Sequence, residues 1–103
     1  MATLKERTPR YEIDPSRPGR FFSLARIFHE LGEAEQALIH YQKASELDPK
    51  NVDYRLTMAE FYLEKQLLVE ARQIVDLVLQ NEPDHPIGIE ILMQIQLAGD
   101  QLQ

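Results

Sequence analysis

An all-α fold built from a repeated pair of helices is what this sequence predicts, and three observations carry the prediction. Pro15, Pro49 and Pro83 stand 34 residues apart, each directly behind an acidic residue, Asp14, Asp48 and Glu82. Between these marks the apolar residues recur three and four apart, the spacing of one helix face. Small residues, Ala25, Ala37, Ala59 and Ala71, fall where helices roughly 8–10 Å apart need short side chains at closest approach. A 34-residue unit holds two short helices and two turns. It cannot bury its apolar face alone, so neighbouring units are expected to stack.

The elements follow in order. Residues 1–14 lack apolar periodicity, and Pro9 would interrupt any helix begun at Leu4, so an extended or flexible arm is expected there. Tyr11 and Ile13 parallel Ser45 and Leu47 and are expected to cover the first helix. Pro18 suits the first turn of that helix, with Ser16 or Arg17 as its cap. Phe21, Leu24, Ala25, Ile27, Phe28 and Leu31 mark its apolar positions, and Gly32 its C-terminal cap. The second helix runs from Glu33 to about Leu47, where Asp48-Pro49 stops it. Asn51 caps a third helix reaching about Lys65, and Leu67 to Gln80 form a fourth ahead of Glu82-Pro83. Pro86 opens a fifth, from Ile87 to about Ala98, with Gly99 read as its end. Repeat one thus covers about residues 18–51, repeat two about 52–85 and the terminal helix about 86–98, all within a single domain of residues 15–103.

Length and charge narrow the function. A chain of 103 residues with 44% hydrophobic content has room for one domain and no more. No apolar run approaches the roughly 18 residues a membrane-spanning helix needs. The opening residues lack the apolar stretch of a secretory signal, so the cytosol is the default compartment. The absence of cysteine excludes disulfides, thiolate catalysis and thiolate metal sites. Net charge is −6, divided as +3 over residues 1–26 and −9 over residues 27–103. The acidic body repels nucleic acid; only the arm and first helix, with Lys5, Arg7, Arg10, Arg17, Arg20 and Arg26, could touch phosphate or an anionic membrane.

Phe21, Leu24, Ala25 and Phe28, followed by Ala37, Tyr41, Ala44 and Pro49, resemble the tetratricopeptide repeat pattern of aromatic, Leu, small, aromatic, Ala, aromatic, small and Pro. Met58, Ala59, Tyr62, Ala71, Val78 and Pro83 repeat it, with Arg55 and Val75 in place of two aromatics. The resemblance spans about residues 18–98 and implies a right-handed α-α superhelix of two helix-turn-helix repeats plus a terminal helix. It also implies a non-enzymatic module that holds a peptide or helix of another protein in a concave groove lined by the first helix of each unit. Carried over position by position, that lining is Phe22, Arg26 and His29, then Leu56, Glu60 and Leu63, then Glu90, Gln94 and Leu97. Family members that clamp acidic chaperone tails use Lys and Asn in such a groove. Here Phe22, Arg26, Leu56, Thr57, Ile87 and Ile91 stand instead, so an apolar guest is expected, anchored by an exposed Phe22 beside Leu56 and Leu63. Arg26 and Glu60 would set its register, or simply pair with each other.

Chemistry is not indicated. His29, His40 and His85 read as surface residues, and no two share a helix at metal-ligand spacing. Glu33/Glu35 and Asp53/Glu60 lack a catalytic partner, the four glycines form no phosphate loop, and Ser16, Ser23 and Ser45 lack a recognisable triad. No cofactor is expected. The fifth helix is apolar beyond what one packed face uses, and Ile87, Ile91 and Ile95 are expected to form an uncovered stripe. Such a stripe suggests an alternative role as an assembly segment, either dimerising or continuing a longer repeat array.

Overall fold

The computed structural model describes residues 17–101, all helix and turn. The expected arm, its docking through Tyr11 and Ile13, and Ser16 as a cap lie outside them. Five helices follow one another: α1 Pro18–Glu30, α2 Ala34–Leu47, α3 Val52–Glu64, α4 Leu68–Asn81 and α5 Pro86–Gln101. The chain divides at Lys50 into two compact units, the first built on α1 and α2, the second on α3, α4 and α5.

Backbone angles repeat with the sequence period. The residue closing the first helix of each pair has φ, ψ of −81°, −3° at Leu31 and −87°, 6° at Lys65. The residue opening the second has −87°, 75° at Glu33 and −90°, 73° at Leu67. Ahead of proline, Asp48 and Glu82 sit at −136°, 70° and −134°, 78°, outside the helical region that the proline ring denies to its predecessor.

The turn inside each pair is a left-handed cap. Gly32, at φ 79°, donates its N–H to the His29 carbonyl, and Glu33 donates to that of Phe28. Those two bonds satisfy carbonyls the helix end would leave orphaned. Gln66 repeats the geometry at φ 64°, donating to Leu63 while Leu67 donates to Tyr62. Without glycine's freedom, this position costs roughly 1–2 kcal/mol. Asn51 caps α3 as expected, its side-chain oxygen accepting from the Tyr54 N–H at 3.2 Å.

Packing repeats too. Ala25 and Ala59, and Ala37 and Ala71, are fully buried pairs 34 residues apart; Tyr41 and Val75, and Ala44 and Val78, are buried likewise. The two cores differ in kind. In the first unit aromatic rings of α1 enclose two rings of α2: His40 lies 6.3 Å from Phe21 and 5.2 Å from Phe28, Tyr41 lies 5.9 Å from Phe22 and 6.1 Å from His29. In the second an aliphatic core joins Leu56 and Ala59 of α3, Ala71, Val75 and Val78 of α4, and Ile91 and Ile95 of α5, with Tyr62 and Leu63 packed against it.

Helix α5 departs from expectation in two ways. It continues through Gly99 to Gln101, because Gly99 keeps a negative φ and is simply a helical residue. It also buries two of the three residues of the stripe expected to be bare, leaving only Ile87 exposed, at 44%. Ile91 and Ile95 are 1% and 4% exposed within the core, and Gly88 lets α5 approach α4 so closely that an added Cβ would stand 3.0 Å from Leu79 Cδ2. With seven large apolar side chains, α5 has more than one apolar stripe, and packing on α3 and α4 selected the one next to its smallest residue.

Candidate functional site

Three sets of repeat-equivalent positions lie on the first helices of the pairs, and burial separates them. Arg26, Glu60 and Gln94 are exposed on α1, α3 and α5 alike. Phe22 and Leu56 turn toward the second helix of their pair: Phe22 is half-buried against Tyr41, and Leu56 is 3% exposed in the core. An exposed Phe22 anchor with Leu56 beside it is therefore corrected, and Leu56 is not available to a guest. Their equivalent Glu90 is exposed, and no second helix covers α5 among the described residues. In the third set His29 and Leu63 are half-buried, while Leu97 is 62% exposed.

The histidines are partly exposed, and each makes a hydrogen bond. His29 Nδ1 shares a 3.1 Å hydrogen bond with the Tyr41 hydroxyl, tying α1 to α2. His40 Nδ1 lies 2.7 Å from the Gln36 carbonyl, to which it donates, and its ring lies tilted against those of Phe21 and Phe28. His85 Nδ1 accepts the Gly88 N–H at 3.2 Å and so acts as the cap of α5. The sequence carried a signal for this last role, since Asn51 holds the equivalent position one repeat earlier.

Electrostatics mark one place in the second unit. Partial burial, and then the charge of Glu90 across from α5, raise the Glu60 carboxyl above its usual value. Neither carboxylate makes an ion pair among the described residues. With its proton held more tightly in the folded state, Glu60 contributes stability below the ordinary glutamate range that is lost as pH rises through its raised pKa. At neutral pH the Glu60 carboxylate therefore opposes folding. Arg72 and Asp76, by contrast, form an exposed 3.6 Å pair along α4.

A cleft of about 510 Å³ opens between α4 and α5, with Leu68, Val69 and Arg72 on one wall and Ile95, Gln96 and Gly99 on the other. Gly99 lines it with no side chain, and nothing lies within 4 Å of where its Cβ would stand. Among the described residues no three His, Asp or Glu side chains converge as metal ligands, and no helix is long and apolar enough to cross a membrane.

A family model described as Tetratricopeptide repeat matches residues 28–88, most of both helix pairs. No curated protein matches the sequence.

Proposed function

The chain belongs to the tetratricopeptide repeat family, whose domains are protein-interaction modules, and from that premise we propose that it is a non-enzymatic adaptor holding a helix or extended peptide of another protein. The holding surface lies in the second unit, on the solvent face of α3 and α5: Glu60, Leu63, Glu90, Gln94 and Leu97.

The observation that carries this reading is the exposure of Glu60 on α3 and of Glu90 and Leu97 on α5, with the Glu90 charge felt at Glu60 and Leu63 half-buried one turn beyond it. A surface selected only for stability would place a cation beside two coupled carboxylates. Leaving them open creates a seat for a Lys or Arg of the guest, with leucines on either side to receive its apolar neighbours. Apolar contact then supplies most of the affinity, and the acidic pair sets register and selects against acidic guests.

Two synthetic amphipathic helical peptides with the same leucine spacing, differing only in a central Lys or Glu, test the proposal by calorimetric titration. The Lys peptide is expected to bind about tenfold tighter, a difference of about 1.4 kcal/mol, and to lose that advantage when Glu60 is replaced by Lys. Equal binding of both peptides, or a preference unaffected by Glu60→Lys, would remove this surface from consideration.

A further inference from the structure

We propose that α5 pairs with α5 of a second copy of this chain, in a two-fold antiparallel contact centred on Met93. The argument starts from the internal repeat. Phe21, Ala25 and His29 of α1 lie on the face covered by α2: Ala25 is fully buried, Phe21 stacks on His40, and His29 bonds Tyr41. One repeat on, Ala59 and Leu63 of α3 belong to the core shared with α4. One further repeat on, the same face of α5 carries Ile89, Met93 and Leu97, which are 39%, 58% and 62% exposed. It is the face that receives an antiparallel helix in both pairs, it is apolar, and among the described residues nothing covers it.

Charge and register select the second copy as occupant. A two-fold contact sets the same patch of each copy against the other, so an acidic chain of net charge −6 makes one most readily where the patch carries no charge. Residues 91–99 of α5 contain no Asp, Glu, Lys or Arg, whereas α1, α2, α3 and α4 all carry charges along their middle turns. Ile89, Met93 and Leu97 are also spaced symmetrically about Met93. Antiparallel pairing therefore sets Ile89 against Leu97 of the copy, and Glu90 against Gln96 rather than against Glu90. The first unit does not offer an alternative of this kind: α1 exposes Ile27 and Leu31, positions equivalent to Ile95 and Gly99, which on α5 face α4. One helix–helix contact is small, so the association is of the weak class that buries less than about 1,200 Å².

The absence of cysteine makes the test direct. Met93→Cys is expected to form a disulfide-linked dimer rapidly under mild oxidation, while Leu77→Cys, equally exposed on α4, does not. In sedimentation the unmodified protein is expected to pass from monomer to dimer with concentration, Met93→Glu to raise the dissociation constant at least about tenfold, and Leu77→Glu to leave it unchanged. A monomer at every concentration would assign the face to a foreign helix and overturn the proposal. So would growth beyond dimers that Ile27→Glu abolishes, since that points to end-to-end stacking, or equal cross-linking at positions 77 and 93. Leu97 lies in both surfaces, whereas Met93 belongs only to the paired face and Glu60 only to the holding surface, so substitutions at Met93 and Glu60 test the two proposals separately.

Discussion

Ile91→Ala is expected to destabilise the second unit by about 2–5 kcal/mol, whereas Met93→Ala, two residues along the same helix, is expected to change stability by less than about 0.5 kcal/mol. Ile91 is 1% exposed, packed with residues of α3 and α4, and Gly88 holds α5 against Leu79 so tightly that little collapse can fill the space left by the missing carbons. Met93 is 58% exposed and has little to lose. Urea denaturation at low protein concentration, where association is negligible, measures both. Similar losses at the two positions would mean that α5 is rotated relative to the packing described. The contrast also separates folding from association: a charge at position 91 enters the core and unfolds α5, so only a charge at position 93 interrogates the exposed face.

Tyr41→Ala is expected to be the most damaging substitution in the first unit, at about 3–5 kcal/mol. Tyr41 is 1% exposed, its ring lies between those of Phe22 and His29, and its hydroxyl is bonded to His29. Tyr41→Phe keeps the rings and removes only the hydroxyl, so it should cost roughly 1 kcal/mol. Chemical denaturation of the three proteins gives the ratio. A loss on Tyr41→Phe as large as that on Tyr41→Ala would show the hydrogen bond, rather than ring packing, to be the dominant tie between α1 and α2.

The fold was legible because its signals are local and stated twice. Proline denies helical angles to the residue before it, so Asp48 and Glu82 mark helix ends whatever surrounds them; Gly32 marks a turn, and Ala25 and Ala59 mark close approach, for equally local reasons. The faces of α5 were less legible. Ile87, Ile89, Ile91, Met93, Ile95 and Leu97 supply two apolar stripes, and periodicity does not distinguish the one that meets α3 and α4; Gly88, the small residue at the contact, was the informative neighbour. Leu56 misled for a related reason. Its set of equivalent positions lies at the boundary between solvent and the second helix of the pair, so Phe22 and Leu56 turn inward where a second helix exists and Glu90 turns outward where none does. The histidine roles depend on partners far along the chain, Tyr41 for His29 and Phe21 and Phe28 for His40, which spacing within one helix does not disclose. The Glu60–Glu90 coupling joins two helices 30 residues apart, and it emerged only when α3 and α5 were placed side by side.

Solvent access to the methyl groups of Ala25, Ala59 and Met93, positions 34 residues apart, tests the central claim most directly. Nuclear magnetic resonance with a soluble paramagnetic agent is expected to leave the Ala25 and Ala59 signals equally protected and to broaden that of Met93 strongly. Strong broadening of Ala59, or protection of Met93 equal to that of the two alanines in dilute monomeric protein, would contradict the repeat equivalence on which the fold, the holding surface and the paired face of α5 all rest.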